Sequence, residues 1–374
     1  MTYVLWITIS IIVFAYFGYP ILLIILRPFL EKRGAEGHYE PVIDIIIPAY
    51  NEEKVIAAKI RNTLALEYPV DKLNVIVVSD ASSDRTDRIA AEYIENGIHL
   101  LRQSTRMGKA AALNLGMQYT KSEIIVFTDA SILLAKSALK TIIQPLKDPS
   151  IGCVSGEDHV LGGSGEGLYG KYELFIRNLE SRCGSIVGAS GCFYAQRLGL
   201  CPHFKEGRAP DFISVLETVK NGYRAVTEPK AIGLMGRVRS TKEEFNRKVR
   251  TIIRGMTALS DNLNLLNPLR FGFFSIALLS HKVVRWSVGW LLILAFVSNL
   301  FLLEDVVYQI LFAAQIVFYG LAIKGYSVEK ENAENISSIL RIPLFFCLSN
   351  LAIVVAAVKF MRGLRQEIWE SSKR

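Results

Sequence analysis

The chain has 374 residues, of which 51% are hydrophobic and 21% are charged, and its mean hydropathy is +0.30. The hydrophobic share exceeds that of an ordinary soluble domain, and the excess is concentrated in a few segments. The net charge of +8 does not indicate a nucleic acid partner, because no helix-turn-helix or RNA-binding signature accompanies it and basic residues near a membrane account for the excess.

The first predicted element is an apolar run at 3–26, long enough to cross a bilayer, which takes about 20 residues. A cleaved signal peptide is the alternative, but no basic residue precedes the run and no small-residue cleavage site follows it. Basic residues come after it, at Arg27, Lys32 and Arg33. The run is therefore predicted to be a permanent anchor at 1–30, and the positive-inside rule places the amino terminus outside and the following block in the cytoplasm.

Four apolar runs of strand length follow. They span 42–47, 73–78, 98–101 and 124–127. Segments of helical period lie between them, at 53–66, 84–95 and 109–119. This alternation predicts an α/β fold with a parallel sheet and right-handed crossovers. Polar residues follow three of the strands, where open α/β sheets bind ligands. No Gly-x-Gly-x-x-Gly loop follows the first strand, which argues against a dinucleotide-binding fold.

Four segments carry a more specific pattern. They are Ile-Pro-Ala-Tyr-Asn-Glu at 47–52, Val-Ser-Asp-Ala-Ser-Ser-Asp-Arg-Thr at 78–86, Arg-Met-Gly-Lys-Ala-Ala-Ala-Leu-Asn-Leu-Gly at 106–116, and Phe-Thr-Asp-Ala-Ser at 127–131. In this order and spacing they resemble family 2 glycosyltransferases with the GT-A fold, most of all the membrane-bound cellulose synthase and poly-N-acetylglucosamine synthase group. The resemblance implies a cytoplasmic catalytic domain at 40–238 in an integral protein of the cell's inner membrane. It also implies a nucleotide diphosphate sugar as donor, most commonly a UDP-sugar.

By this resemblance, residues after the strands and at the next helix bind the donor. They are Ala49, Tyr50, Glu52, Asp80, Gly108, Lys109 and Asn114. For Asp80 the alternative is a helix cap, because Asp80 to Asp84 precede a helix with free N–H groups. A lysine at a helix amino terminus opposes the helix dipole unless an anion such as a diphosphate lies there. A solvated surface lysine is the alternative for Lys109.

Asp129 matches the first carboxylate of the family's Asp-x-Asp metal motif. The resemblance implies a divalent metal, Mg²⁺ or Mn²⁺, shared between oxygen ligands and the substrate phosphates. The chain departs from the motif at Ser131, which is neutral and a weaker ligand. Mg²⁺ can still be held by one carboxylate together with phosphate oxygens and water.

The resemblance assigns the catalytic base to Asp211 in Ala-Pro-Asp-Phe, where Pro210 replaces the first acid of the family's pair. The alternative is an N-cap, since Asp211 opens a predicted helix at 212–220. Gly191 ends the segment Ser-Ile-Val-Gly-Ala-Ser-Gly, which resembles the loop that faces the acceptor. Small residues there let a sugar ring approach the backbone.

An amphipathic helix is predicted at 241–266. Its apolar face comprises Phe245, Val249, Ile252, Ile253, Met256 and Leu263, and its basic face comprises Arg247, Arg250 and Arg254. The basic face either contacts anionic lipid headgroups or places Arg250 on the diphosphate. The latter follows from the family's Gln-x-x-Arg-Trp motif. Arg247 and Thr251 replace its glutamine and tryptophan, which predicts poor retention of a growing product.

The remaining chain is predicted to hold interface helices at 239–284, a membrane bundle at 285–361 and a basic tail at 362–374. Spans at 286–303 and 306–323 are joined by Glu304 and Asp305, without Lys or Arg, which predicts an outside hairpin. Lys282 and Arg285 are predicted to snorkel to the interface. A fourth apolar run at 342–360 would put the basic tail outside, against the charge bias, so its crossing stays open.

The sequence therefore predicts an inverting glycosyltransferase that acts on a membrane-associated or polysaccharide acceptor. One alternative is a processive synthase, and another is a single transfer to a lipid. From other classes, a catalytically inactive scaffold is disfavoured by the acidic set Asp80, Asp129 and Asp211. A transporter subunit is disfavoured because the membrane segments hold few charges.

Overall fold

A mixed eight-stranded sheet lies at the centre of the computed structural model, which describes residues 1–31, 37–160, 166–236, 241–331 and 336–364. The strands are β1 (Ile43–Ala49), β2 (Leu73–Ser79), β3 (Ile98–Arg102), β4 (Ile124–Thr128), β5 (Ile132–Leu134), β6 (Ile151–Val160), β7 (Phe193–Arg197) and β8 (Arg224–Met235). Their order across the sheet is β3-β2-β1-β4-β7-β6-β8-β5.

Strands β3, β2, β1 and β4 run parallel, which confirms the prediction for this half of the sheet. Strand β1 is central, and Ile45 pairs with Val75 on one side and Val126 on the other. All three residues are almost fully buried. Helices cover both faces of a parallel sheet, which is why its strands are nearly continuous apolar runs. In the other half, β7 pairs antiparallel with β4 and β6.

The described residues form fourteen α-helices. They are α1 (Thr2–Val13), α2 (Tyr19–Leu30), α3 (Ile56–Leu64), α4 (Thr86–Ala91), α5 (Lys109–Tyr119), α6 (Ala138–Ile143), α7 (Glu166–Cys183), α8 (Pro210–Lys220), α9 (Thr241–Ser260), α10 (Pro268–Phe271), α11 (Phe273–Leu278), α12 (Arg285–Leu300), α13 (Val306–Glu331) and α14 (Ser338–Met361). Short π-helical turns at Phe14–Gly18 and Leu279–Val284 join α1 to α2 and α11 to α12.

In the described part of the chain, four helical stretches are long and apolar enough to cross a bilayer. They are Thr2–Leu30, Phe273–Leu300, Val306–Lys330 and Ser338–Met361. The anchor, the two hairpin spans and the fourth apolar run are thus all present as helices. Of the predicted basic tail at 362–374, only residues 362–364 are described, and the predicted domain boundary at 238/239 falls outside the described residues.

The prediction that Lys282 and Arg285 snorkel is wrong for Arg285. This side chain is 5% exposed, and its Nη2 atom donates to Glu173 Oε1 of α7 at 2.6 Å. Its guanidinium also lies 4.9 Å from the centroid of the Tyr16 ring. Arg285 stays inside because α7 places the Glu173 carboxylate beside this turn of the helix, so the charge of Arg285 is neutralised within the protein.

The prediction of a single helix at 241–266 is also wrong in its length, since α9 ends at Ser260. Asn262 ends it by donating from Nδ2 to Ala258 O at 2.9 Å, a local bond that competes with helix continuation. Leu263 is consequently exposed. The apolar face is correct upstream, because Val249 and Ile253 pack against α14 rather than against lipid.

Candidate active site

The carboxyl ends of β1, β2 and β4 meet at one edge of the sheet and form a small polar cleft. Its lining includes Ala49, Tyr50, Glu52, Asp80, Lys109, Asp129 and Ser131. Most of the predicted donor residues are thereby brought together. Asn51 and Ala81 have φ of +53° and +54°, a left-handed conformation that costs non-glycine residues about 1–3 kcal/mol and clusters at functional sites.

Asp80 is 3% exposed and holds the turn before α5. Its two carboxylate oxygens accept from Met107 N at 2.7 Å and from Gly108 N at 2.8 Å. Of the acidic and hydroxyl residues predicted to cap α4, it is Asp84 and not Asp80 that accepts from the first helical N–H, that of Thr86, at 2.9 Å. Asp80 therefore links the turn before α5 to the end of β2.

Lys109 turns into the cleft and is not a solvated surface lysine. Its Nζ atom donates to Asp129 Oδ1 at 2.5 Å and to Gly191 O at 3.2 Å. Burial lowers the pKa of Lys109, but the negative groups around it, first of all the Asp129 carboxylate, together raise it, so the net pKa is raised. A protonated ammonium thus stands in the cleft and is available as a counter-charge to an anionic ligand.

Glu206, which the sequence did not single out, occupies the amino terminus of α5. Its Oε1 atom accepts from Ala110 N at 2.8 Å and from Ala111 N at 3.3 Å. Burial raises the pKa of Glu206, and the two backbone N–H groups oppose this rise. The anion predicted at this helix terminus is therefore supplied by the protein itself, from a loop that carries no local motif.

Gly108→Ala is expected to destabilise the fold by about 1–3 kcal/mol. Gly108 has φ +93° and ψ 173°, a region open almost only to glycine, and an added Cβ would lie 2.6 Å from the Glu206 carboxyl carbon. Thermal unfolding of the detergent-solubilised protein measures the effect. Gly199→Ala is the control, because nothing lies within 4 Å of its added Cβ, and equal melting temperatures for the two variants would contradict the prediction.

Asn114, a predicted donor residue, does not line the cleft. Its Nδ2 atom donates to Phe204 O at 2.8 Å, and its Oδ1 atom accepts from Phe204 N at 2.9 Å. These two bonds fix the loop that carries Glu206. Asn114 therefore supports the amino terminus of α5 indirectly.

Asp129 and Ser131, the two oxygen-bearing positions of the predicted metal motif, both line the cleft. In the described part of the chain, no group of three or more His, Cys, Asp or Glu side chains is arranged to hold an ion. One carboxylate with phosphate oxygens and water is a sufficient set for Mg²⁺. The site therefore fits a metal that arrives with a diphosphate, and Lys109 would have to yield its bond to Asp129.

Asp211 lies in the first turn of α8, after Pro210. The N-cap residue is Ala209, without a side-chain cap, so the predicted N-cap alternative is wrong for Asp211. Burial raises the pKa of its carboxyl group, and the Lys109 ammonium opposes this rise. A Cβ on Gly191 would lie 3.8 Å from the Asp211 carboxyl carbon. Gly191 thus accepts from Lys109 and lies beside Asp211.

A second cavity of about 180 Å³ opens beside Asp211, between the sheet domain and the helices that follow it; we call it the acceptor cavity. Its lining includes Arg177, Gly188, Asp211, Thr251, Lys282 and Trp286. Thr251 leaves the family's tryptophan position without an aromatic ring, but Trp286 supplies one in the same cavity. The effect of Thr251 on product retention stays a prediction.

Two further charged residues near Asp211 were not assigned to the site from the sequence. Ser190 Oγ lies 2.7 Å from both carboxylate oxygens of Asp158, and burial raises the pKa of Asp158 to about 6. Burial and the charge of Arg250 lower the pKa of Arg254, whereas Glu206 and Asp211 raise it. The predicted Arg250 thus has Arg254 as a neighbour, one turn further along α9. Their i, i+4 spacing puts both side chains on one face of the helix, and this spacing is the sequence pattern that indicates a second arginine near the site.

Comparison with known proteins gives a family model that matches part of the chain, and a matching fold. A sequence model described as Glycosyl transferase family 2 matches residues 44–193. The probable glycosyltransferase YdaM of Bacillus subtilis is 34% identical over 130 residues, which are 33% of this chain and 31% of that protein. The beta-monoglucosyldiacylglycerol synthase of Trichormus variabilis is 34% identical over 132 residues, 34% of this chain and 28% of that protein.

The poly-beta-1,6-N-acetyl-D-glucosamine synthase of Staphylococcus epidermidis is 28% identical over 179 residues, 45% of this chain and 42% of that protein. The matched segments therefore span less than half the length of these curated relatives. Among solved structures, the mannosyltransferase PcManGT from Pyrobaculum calidifontis, in complex with GDP-Man and Mn²⁺, superimposes with a TM-score of 0.70 at 23% identity, covering 96% of this chain and 99% of that one. This likeness establishes the fold.

Proposed function

We propose that this chain, which carries a family 2 glycosyltransferase domain of the GT-A fold, transfers a sugar from a nucleotide diphosphate sugar to a hydroxyl group of an acceptor at the membrane. One observation carries the proposal: the Lys109–Asp129 pair of the donor cleft and the Asp211 carboxylate of the acceptor cavity lie on either side of Gly191. A donor sugar placed at Gly191 would have its leaving diphosphate beside Lys109 and Asp129, and the attacking acceptor hydroxyl beside Asp211.

The proposed roles follow from the chemistry of each side chain. Asp211 takes the proton of the acceptor hydroxyl. The acceptor oxygen then attacks the anomeric carbon, the bond from that carbon to the diphosphate oxygen breaks, and the nucleoside diphosphate leaves. Lys109 and Arg250 neutralise its charge. A single displacement inverts the configuration at the anomeric carbon.

The rest of the donor is proposed to lie along the cleft, with base and ribose at Tyr50, Glu52 and Asp80. UDP-sugars are the first donors to test. A divalent metal, Mg²⁺ or Mn²⁺, is proposed at Asp129, where it would add positive charge to the diphosphate. The four apolar helices support an integral membrane protein. We propose that the catalytic domain faces the cytoplasm, where nucleotide sugars are made, across the cell's inner membrane.

A processive synthase is the second candidate, and Trp286 is the observation that favours it. An aromatic wall in the acceptor cavity could retain a sugar chain by stacking. The curated relatives carry names of both kinds, a lipid glucosyltransferase and a polymer synthase. The length of the product separates the two candidates.

We expect membranes that contain the protein to transfer label from one member of a panel of UDP- and GDP-sugars into a lipid-soluble product that grows by single sugars. The product size distribution is measured at early times with acceptor in excess. Long polymers beside unused acceptor would establish the synthase instead. Membranes with the Asp211→Asn variant are the control, and label incorporation equal to theirs would contradict the proposed activity.

A further inference from the structure

Lys59 of α3 is a lysine whose side chain lies wholly inside the sheet domain, with an exposed fraction of 0%. Its Nζ atom donates to Thr128 Oγ1 at 2.8 Å and to Ile132 O at 2.9 Å. Among the residues that the structure describes, no carboxylate is hydrogen-bonded to it. Burying an ammonium without a bonded anion is costly. A lysine is therefore expected here only if its bonds or its charge serve a neighbouring site.

The two bonds of Lys59 lie on either side of the link 129–131, which carries both positions of the predicted metal motif. Thr128 ends β4, and Ile132 begins β5. Three other strands, β7, β6 and β8, lie between β4 and β5 in the sheet, so strand pairing does not join the two ends of the link. Lys59 bonds to both ends at once. It therefore helps to fix how the link presents its side chains to the donor cleft.

Asn62, one turn further along α3, holds β5 with a neutral side chain. Its Nδ2 atom donates to Leu134 O at 2.9 Å, and its Oδ1 atom accepts from Leu134 N at 2.8 Å. A neutral amide is thus sufficient to tie α3 to β5, and Lys59 adds a positive charge that an amide lacks. Burial lowers the pKa of Lys59 to about 7, and the Asp129 carboxylate opposes this fall. The charge of Lys59 is therefore felt at Asp129.

Two lysines thus act on Asp129, and they differ in what a ligand can do to them. Lys109 reaches Asp129 Oδ1 at 2.5 Å from within the donor cleft. Lys59 acts from the interior, where it is bonded to a backbone carbonyl. A ligand that enters the cleft can displace Lys109 from Asp129, but it cannot reach Lys59. The hold of Lys59 on the link therefore persists when the donor site is filled, which keeps the site preorganised.

We propose that Lys59 is a positioning residue of the donor site: its ammonium joins the end of β4 to the start of β5 and so holds Asp129 in place for the divalent metal that accompanies the diphosphate. This inference rests on the proposed function, because it concerns how the donor is bound. Lys59 acts through the link and does not touch the donor, since its side chain is wholly buried. Loss of a residue that orients a metal ligand typically lowers metal affinity or activity by about 10–100-fold.

The test measures nucleotide binding, separately from transfer. UDP and GDP are titrated calorimetrically into the full-length protein in detergent, with and without Mn²⁺. We expect Lys59→Met to lower the affinity measured with Mn²⁺ by about 10–100-fold and the affinity measured without metal by much less. Thr128→Val removes the hydroxyl acceptor and keeps the shape of the side chain, so it should have the same effect to a smaller extent. The double variant should bind as Lys59→Met does, because the two residues share one hydrogen bond.

Two variants serve as controls. Lys54→Met removes an exposed lysine two residues before α3 and should bind as the wild type does. Asn62→Ala removes the neutral tie between α3 and β5, so it should lower the melting temperature while the gain in affinity from Mn²⁺ stays.

The outcomes separate this inference from the proposed function. A lower melting temperature with an unchanged gain from Mn²⁺, in both Lys59→Met and Thr128→Val, would show that Lys59 only supports the fold and would overturn the inference. A wild-type protein that gains no affinity from Mn²⁺ would also overturn it, while leaving the glycosyltransferase proposal intact. Loss of the gain in Lys59→Met, in a protein that transfers no sugar from any nucleotide sugar, would support the positioning role and contradict the proposed function.

Discussion

Asp211→Asn is expected to lower sugar transfer by about 10²–10⁴-fold, the usual contribution of a positioned general base. The asparagine keeps the shape of the side chain but cannot take the acceptor proton. Nucleotide binding should stay close to wild type, because Asp211 lies in the acceptor cavity and not in the donor cleft. Initial rates with labelled nucleotide sugar and calorimetry with the nucleoside diphosphate measure the two effects.

The pH dependence gives an independent check. Burial raises the pKa of Asp211 above the ordinary aspartate value, and only the deprotonated form accepts a proton. In the wild type, kcat/KM should therefore fall as the pH is lowered through this raised pKa, and the Asn variant should lose that dependence. Asp158→Asn tests the neighbouring carboxylate and is expected to retain measurable transfer. More than a tenth of wild-type turnover in Asp211→Asn would show that the base lies elsewhere.

Asp129→Ala is expected to abolish the effect of Mn²⁺ on nucleotide binding. In the wild type, Asp129 is bonded to Lys109, so a metal and the ammonium compete for one carboxylate. Without it the metal loses its protein anchor, and affinity in the presence of Mn²⁺ should fall about ten- to hundredfold. Affinity without metal should not fall, because Lys109 becomes available to the diphosphate.

The measurement is calorimetry with UDP and with GDP, each with and without Mn²⁺. Asp71→Ala removes an exposed carboxylate near the start of β2 and serves as the control. A variant that keeps the wild-type ratio between affinities with and without Mn²⁺ would give Asp129 a structural role. Loss of both affinities to the same extent would assign the metal-free binding to Asp129 rather than to Lys109.

The parallel half of the sheet was predictable because its strands are buried on both faces. Ile45, Ile46 and Ile47 of β1, whose side chains alternate between the two faces, are all inaccessible, so apart from Asp44 the run is apolar without alternation. The other half is mixed, since β7 pairs antiparallel with β4 and β6 while β6 and β8 run parallel, and it gave no such signal. Strand β6 carries Glu157, Asp158 and His159, and strand β8 contains Pro229, a residue that usually argues against a strand.

The donor cleft was predictable for a related reason. Parallel strands place their carboxyl ends at one edge, so motifs that close β1, β2 and β4 had to meet there. Glu206 and Trp286 were not predictable from local pattern. One lies in a loop held by Asn114 and Phe204, and the other reaches the acceptor cavity only because the helix that contains it packs against α7 and α9. Their positions depend on tertiary contacts between distant segments.

The donor cleft and the acceptor cavity take their residues from different parts of the chain. The donor cleft is built wholly from residues before position 132, whereas the acceptor cavity takes Thr251, Lys282 and Trp286 from the helices that follow the sheet domain. Under the proposed function, substitutions at these three positions are expected to change which molecule is glycosylated more than which sugar is used. A lineage of such proteins could diversify its products by exchanging its carboxy-terminal half while its nucleotide chemistry stays fixed.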